Sequence, residues 1–190
     1  MLFKIVSALF SGCTTTSRFE QAVREGDHYK VQSLLQKKPK LASTRFDDDG
    51  SLPIFKAGNL LTLKALVDHG VTPYEGQLHC VFYHCMDGRA DIVNHFISRK
   101  NFDVNTPGLA LNSTLLMVAC RNSHIEVVNL LLESGADICL KDDEGKTAFD
   151  YLDHEGINAH RYSDGDIFRL ERAKICKKLL LLHQNPDEGR

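Results

Sequence analysis

The chain lacks two features that would define its surroundings at once. No run of apolar residues reaches the roughly 18 that a membrane-spanning helix needs. Charge of neither sign dominates, since 23 Lys and Arg face 25 Asp and Glu, for a net charge of −2. Nucleic-acid binding would need a concentrated basic face, and the basic residues near Lys37 and in the C-terminal helix fit solvated helix faces. We therefore expect no spanning helix and no nucleic-acid partner.

Catalytic motifs are missing as well. The sequence contains no G-x-S-x-G elbow and no glycine-rich phosphate loop, and its cysteines and histidines do not form a Cys-His-Asn constellation. We therefore name no catalytic and no cofactor-binding residue, and we expect the protein not to be an enzyme.

The most informative segment runs from Asn112 to Ile138, "NSTLLMVACRNSHIEVVNLLLESGADI". It predicts two short helices, with apolar residues from Leu115 to Cys120 and again from Val127 to Leu132. A polar break at Ser123-His124 separates them, and Gly135 ends the second helix, where glycine adopts the left-handed conformation at little cost. Helices this short are marginal alone, so the unit is expected to stack on copies of itself.

This segment resembles the ankyrin repeat family, whose unit of about 33 residues contains T-P-L-H, G-H, V-V-x-L-L-L and G-A-D elements. The copy that ends at Gly135-Ala136-Asp137 matches throughout, apart from Ser123 in place of a glycine. Asp142 to Ala148 opens the next copy, and Asp47 to Phe55 opens an earlier one. The resemblance implies an all-α ankyrin-repeat solenoid of five units, at about 18–46, 47–74, 75–107, 108–140 and 141–183, within a domain of residues 18–185 that a disordered tail, 186–190, follows.

Two departures from the family pattern predict local changes. The second copy has three fewer residues between Pro53 and Gly70, so its first helix or its turn is expected to be shortened. The fifth carries an insertion at 157–166, which either forms a loop or lengthens the terminal helix. In that helix Phe168, Ile175, Leu179 and Leu182 share one apolar face.

The resemblance also implies where a partner binds, namely a concave surface made of hairpin tips and the outward sides of the first helices. The tips map to Asp48 and Asp49, to Ala110 and Leu111, and to Asp143 and Glu144. Aromatic, Met and Arg side chains dominate interface energetics. The predicted partner-binding residues are Lys56, Tyr83, Met86, Asp87, Arg121, Asn122, Asp143, Glu144 and Tyr151.

The first residues, "MLFKIVSALFSGC", follow the order of a secretory signal, with a cation at Lys4, an apolar stretch, and small residues before Cys13. Small residues before a cysteine resemble the bacterial lipobox. We predict that residues 1–17 are a lipoprotein signal and tether with Cys13 lipidated, which places the protein in the bacterial envelope, anchored in the periplasm. Phe10 stands where the lipobox prefers Leu. The alternative is an N-terminal extension with an ordinary cysteine on a cytoplasmic protein.

Two clusters suggest other chemistry. Cys80 and His84, with His79 beside them, have a spacing that places two metal ligands on one helical face, but no second pair completes a zinc site. Cys85 and Cys120 fall at the family's buried small-residue position, and Cys176 lies in the apolar stripe of the last helix, so packing explains these three better than disulfides do.

We therefore expect a non-catalytic module, monomeric when free, that binds another protein through its concave surface. Small envelope ankyrin proteins look similar to immunity proteins that block a secreted antibacterial effector. The alternatives are a cytoplasmic or host-directed scaffold and, more remotely, a metal-binding protein using His79, Cys80 and His84. Between Glu133 and Asp166 ten Asp or Glu stand against three basic residues; such an acidic end can steer a basic partner, although charged surface usually serves solubility.

Overall fold

The computed structural model describes residues 14–46, 50–71, 77–108, 111–157 and 164–184. The chain divides into two compact units, residues 1–76 and 77–190, and the division falls beside the predicted start of the third copy at residue 75. The described ranges contain nine α-helices and two 3-10 helices, with no strand. The predicted tail at 186–190 lies outside them.

The first unit holds three α-helices, α1 (Thr15–Glu25), α2 (His28–Lys37) and α3 (Leu60–Asp68). Two 3-10 helices, Pro39–Ser43 and Pro53–Lys56, lie between α2 and α3. Helix α1 packs against α2 and against the second 3-10 helix, and α2 packs against α3. The core is made of fully buried side chains, among them Phe19, Val31, Leu35, Leu63 and Leu66.

Helix α1 begins earlier than the predicted repeat. Thr14 is its N-cap, and the Thr14 hydroxyl accepts a hydrogen bond from the Ser17 backbone N–H at 3.1 Å. A threonine N-cap satisfies one of the amide groups that a helix start leaves unpaired. The prediction that residues up to 17 form a tether is therefore wrong for residues 15–17, which belong to the helix.

The shortened first helix of the second copy is confirmed. A single 3-10 turn, Pro53–Lys56, packs against α1 and α3, where the first helix of the repeat is expected. Pro53 sets the backbone angle of the first residue, and the Gly58-Asn59 turn follows after Ala57. Between Pro53 and the Gly58-Asn59 turn there are too few residues for a series of i to i−4 hydrogen bonds, so this segment forms the tighter 3-10 helix.

The second unit contains six α-helices in three pairs: α4 (Gln77–Met86) with α5 (Ala90–Ile97), α6 (Leu115–Arg121) with α7 (Ile125–Glu133), and α8 (Ala148–Ile157) with α9 (Asp164–Gln184). The first helices stack in the order α4, α6, α8, and the second helices in the order α5, α7, α9. Each pair thus buries its apolar side against the next pair, as repeat architectures require.

The α6–α7 pair matches its prediction closely. Thr114 caps α6, with its hydroxyl accepting from Met117 N–H at 3.3 Å. Val127, Val128, Leu131 and Leu132 are buried as predicted, whereas Leu130 is half-buried. Gly135 follows α7 with φ at 85°, which confirms the predicted left-handed glycine.

Helix α9 corrects the predicted apolar face. From residue 173 onward, where its side chains are described, the core side is made of Ala173, Cys176 and Leu180, while Ile175 is 46% exposed and Leu182 is 43% exposed; the predicted Phe168 lies outside the described side chains. The register is therefore rotated by about one residue, or about 100°. The C-terminal half carries apolar residues on several sides, so periodicity alone does not identify the side that packs on α7 and α8.

Candidate functional site

Helix α4 presents two of the predicted partner-binding side chains to solvent. Tyr83 is 37% exposed and Met86 is 42% exposed, and Asp87, just beyond the helix end, is exposed too. The opposite side of α4 is anchored by Val81 and Cys85, both fully buried. Buried side chains therefore anchor one side of α4 in the core, while Tyr83 and Met86 extend from the helix into solvent.

Helix α6 places Arg121 and Asn122 next in the stack. Arg121 is exposed at the end of the helix. Asn122 is the C-cap residue, and its side-chain Nδ2 donates to the Val118 carbonyl at 2.9 Å. The amide of Asn122 therefore already has a structural role, which leaves Arg121 as the side chain of this pair that extends into solvent.

The hairpin tip before α8 holds Asp143 and Glu144 exposed around a buried carboxylate, Asp142. One oxygen of Asp142 accepts from the backbone N–H groups of Glu144 and Lys146, both at 2.9 Å. The other accepts from the Tyr151 hydroxyl at 2.6 Å. Burial acts to raise the pKa of Asp142, but these hydrogen bonds outweigh it and the pKa is lowered.

Tyr151 therefore stabilises the hairpin tip that contains Asp142. Its ring is half-buried, and its hydroxyl is committed to Asp142. Burial and that hydrogen bond together raise the pKa of Tyr151. The Tyr151 hydroxyl therefore holds the hairpin through Asp142.

One exposed side chain was predicted to lie at a hairpin tip of the concave surface but was not named among the partner-binding residues. Leu111, at the preceding hairpin tip, is 46% exposed and has φ at 55°, a conformation that costs energy in a residue other than glycine. Its carbonyl accepts from Asp143 N–H at 2.9 Å, and the adjacent Asn112 donates to the Asp143 carboxylate at 2.8 Å. The signal was available in the sequence, because a leucine at a hairpin tip has no core to fill.

These residues define what we call the first-helix surface of the second unit: Tyr83, Met86, Asp87, Leu111, Arg121, Asp143 and Glu144. Lys56 lies at the end of a 3-10 helix in the first unit and is half-buried. The predicted tip residues Asp48, Asp49 and Ala110 lie outside the described residues, as does the predicted lipidation site, Cys13.

The possible metal ligands are divided between surface and interior. His79 is exposed, while Cys80 and His84 are buried. Burial raises the pKa of the Cys80 thiol to about 12, which disfavours the thiolate that a metal needs. Within the described ranges no group of three His, Cys, Asp or Glu side chains could hold a metal ion.

No disulfide is formed by the cysteines in the described part of the chain, namely Cys80, Cys85, Cys120, Cys139 and Cys176. Cys85, Cys120 and Cys176 are fully buried, as the packing interpretation predicted. Burial raises the pKa of Cys85 and of Cys120 well above the usual range, so these thiols behave as small apolar groups.

None of the helices in the described residues combines the length and the apolar character needed to cross a membrane.

Comparison with known proteins agrees with the stacked helix pairs. A family model described as "Ankyrin repeats (3 copies)" matches residues 19–142. An ankyrin repeat protein of Rickettsia bellii is 46% identical over 54 residues, which cover 26% of this chain and 14% of that protein. Palmitoyltransferase AKR1 of Lachancea kluyveri is 33% identical over 108 residues, covering 54% of this chain and 14% of the relative.

A third relative, alpha-latrocrustotoxin-Lt1a of Latrodectus tredecimguttatus, is 32% identical over 125 residues, 63% of this chain and 9% of the toxin. The chain thus spans only a small part of the relatives that it matches. The shared part is the helix-pair repeat, a protein-interaction module. With a match that covers residues 19–142 and helix pairs that stack as predicted, this chain belongs to the ankyrin repeat family.

Proposed function

We propose that the chain binds a partner protein, without catalysis, through the first-helix surface of the second unit. The observation that supports this most directly is the exposure of Tyr83, Met86 and Leu111, each more than a third accessible on stacked, well-anchored elements. Large apolar side chains held in place in solvent bury area with little loss of entropy, so such residues supply much of the binding energy at interfaces.

The charges around these side chains define the complementary partner. Asp87, Asp143 and Glu144 are acidic and exposed, with Glu144 paired to Lys146 Nζ at 2.6 Å, and Arg121 is the cation on α6. A partner patch with an apolar centre and a mostly basic rim, including one acidic group for Arg121, complements this surface.

The test is a double variant, Tyr83→Ala/Arg121→Ala, compared with wild type by quantitative cross-linking in cells. We expect a partner that is cross-linked to wild type to be lost from the variant, because both side chains supply contact area, while the melting temperature stays nearly unchanged. The matched control is Tyr29→Ala/Lys64→Ala, which removes an aromatic ring that is 75% exposed and an exposed cation in the first unit. Identical cross-linked partners from wild type and the first variant would contradict the proposal.

We also propose that Cys13 is lipidated and tethers the protein to a bacterial envelope membrane. The support is the order of Lys4, the apolar run and Ser11-Gly12-Cys13 in the sequence. Intact mass spectrometry of the protein from its native cells tests this. We expect an N-terminus at a diacylglyceryl-modified Cys13, absent in Cys13→Ser, and an unmodified chain starting at Met1 would contradict it.

If the tether holds, the partner that we propose is a secreted antibacterial effector, which this protein neutralises in the envelope. The support is the likeness in architecture to immunity proteins, and architecture alone does not determine function. Co-expression tests it: the product of the neighbouring gene, sent to the periplasm, is expected to be toxic alone and harmless beside this protein. Toxicity that Tyr83→Ala/Arg121→Ala relieves as well as wild type would contradict the proposed surface.

A further inference from the structure

A groove of about 580 Å³ lies over the second helices of the helix pairs in the second unit. Helix α7 packs against α5 on one side and α9 on the other, and all three helices contribute side chains to the groove. The first-helix surface involves α4, α6 and the hairpin tips, so the groove shares no residue with it.

Four of the groove's side chains are branched apolar residues, Ile125 and Leu130 from α7 with Ile175 and Leu179 from α9. Ile175 is 46% exposed. The same side of α9 continues to Leu182, 43% exposed, at the spacing of successive helical turns. The terminal helix of a repeat stack usually turns a polar face to water. An apolar stripe in that position marks an interaction surface.

Carboxylates supply the charge in this groove. Asp91 of α5 and Glu126 and Glu133 of α7 line it, and none of the lining residues whose side chains the structure describes is Lys or Arg. Glu133 is held by Asn129, whose Nδ2 donates to it at 2.6 Å. Lys174 and Lys178 are exposed on α9 but do not line the groove. The groove therefore combines an apolar interior with acidic edges.

We infer that this groove is a second docking surface, and that its occupant is a cationic amphipathic helix of a partner protein. Grooves between helices accept the apolar face of another helix through residues spaced three and four apart. Such a face would cover Ile125, Leu130, Ile175 and Leu179. Lys or Arg side chains at the flanks would then lie beside Glu126 and Glu133, where opposite charge favours and orients association.

The probe is a synthetic helical peptide of about four turns, with leucines at i, i+3, i+4 and i+7 and lysines at the flanks, together with a twin in which each lysine is glutamate. Fluorescence anisotropy with the full chain measures both. We expect the lysine peptide to bind at least about tenfold more tightly than its twin. We also expect added salt to weaken its binding, because exposed charges are screened.

Variants locate the binding site. Glu126→Lys/Glu133→Lys and, separately, Ile175→Asp are each expected to weaken the lysine peptide by about tenfold or more. The neutral pair Glu126→Gln/Glu133→Gln, which keeps the shape of both side chains, should weaken it by a smaller factor. The matched control is Glu25→Lys/Asp68→Lys, which makes the same charge change at the exposed last residues of α1 and α3. Lysine is favourable at helix C-termini, so this control should fold and bind like wild type.

Three outcomes would overturn the inference. The glutamate peptide could bind as tightly as the lysine peptide, which would remove the electrostatic argument. The groove variants could bind like wild type, which would move the peptide to another surface. Sedimentation could show a dimer that Ile175→Asp dissociates, in which case a second copy covers the groove. Tyr83→Ala/Arg121→Ala should leave peptide binding unchanged, so this result stands or falls separately from the proposed first-helix surface.

Discussion

The Gly58-Asn59 turn of the first unit and the Ser123-His124 turn of the second show two ways of joining neighbouring repeats. Asn59 Nδ2 donates to the Gly26 carbonyl at 2.8 Å, and His124 Nε2 donates to the Met86 carbonyl at 2.7 Å. Each acceptor lies at the C-terminal end of the first helix of the preceding copy, where helices leave carbonyls unpaired. Asparagine and histidine at the same repeat position thus each donate a hydrogen bond to a carbonyl that the helix end leaves unpaired.

The two turns differ in how closely the backbones approach. In the first unit Gly58 N–H donates directly to the Val23 carbonyl at 2.8 Å. In the second unit Ser123 N–H bonds within its own copy, to the Cys120 carbonyl at 2.9 Å. The short Asn59 side chain reaches the preceding copy only where the backbones of the two copies lie very close together. This close approach favours glycine at the adjacent position, 58. The longer histidine spans the distance itself, so a residue with a side chain is tolerated at position 123.

The largest effect is expected from Gly58→Ala. An added Cβ would lie 2.6 Å from Gly26 N and also against the Arg24 carbonyl, both of them backbone atoms that cannot rotate away. We expect the free energy of unfolding to fall by about 3 kcal/mol, the upper range for overpacking, as measured by urea denaturation.

The control for Gly58→Ala is Gly70→Ala in the same unit. Gly70 has φ at +88° with nothing within 4 Å of an added Cβ, so only backbone strain applies, about 1 kcal/mol. Equal losses of unfolding free energy in the two variants would mean that the close backbone approach at Gly58 does not contribute to the cost of the added Cβ.

The next effect concerns the second unit's turn. An added Cβ at Gly88, where φ is +72°, would lie 2.6 Å from His124 Nδ1. Gly88→Ala is expected to cost about 2 kcal/mol, part from backbone strain and part from this contact. In a His124→Ala background the contact is gone, so the cost should drop to about 1 kcal/mol.

A double-mutant cycle of Gly88→Ala and His124→Ala therefore measures how far the imidazole dictates a glycine in the preceding copy. Strict additivity of the two changes would show that the imidazole and Gly88 are not energetically coupled. The corresponding pair in the first unit, Gly26 and Asn59, should couple as well, since an added Cβ at Gly26 would meet the Asn59 side chain.

The helix pairs could be predicted because their determinants are local. Apolar spacing, the threonine before α6 and Gly135 after α7 each act within a few residues, and the shortened first helix followed from counting residues after Pro53. The side chains that join the copies could not be predicted in the same way. Asn59 caps α3 by accepting from Thr62 N–H at 2.9 Å, which sequence can suggest, but its contact with Gly26 depends on how the copies stack.

The candidate site was predictable to a similar degree. The repeat pattern predicted that Tyr83, Met86 and Arg121 face outward, and they are exposed. It did not reveal that Asn122 and Tyr151 are committed to hydrogen bonds inside the unit, because those partners are set by the helix end and the folded hairpin. The groove was missed because the side of α9 that packs on α7 could not be chosen from periodicity.

The smallest effect is expected at the hairpin tip before α8. The corresponding tip of the first unit, 47–49, lies outside the described residues, so this prediction concerns the second unit alone. Tyr151→Phe removes the 2.6 Å hydrogen bond to Asp142. We expect a loss of about 1 kcal/mol at neutral pH, with Tyr29→Phe, at a ring that is 75% exposed, leaving stability unchanged.

The pH dependence of that loss separates this bond from the other contacts of the Tyr151 hydroxyl. The pKa of Asp142 is lowered in the fold, so its stabilising contribution is present above the ordinary aspartate pKa of about 3.9 and is lost as pH falls through the folded value. Without Tyr151 the folded pKa should move back toward the ordinary one, so the variant and wild type should converge in stability below about pH 4. A gap that stays constant from neutral to acidic pH would assign the loss to another contact of the hydroxyl, such as the one with Ser113, and not to the carboxylate, leaving the backbone N–H groups of Glu144 and Lys146 as the bonds that hold the tip.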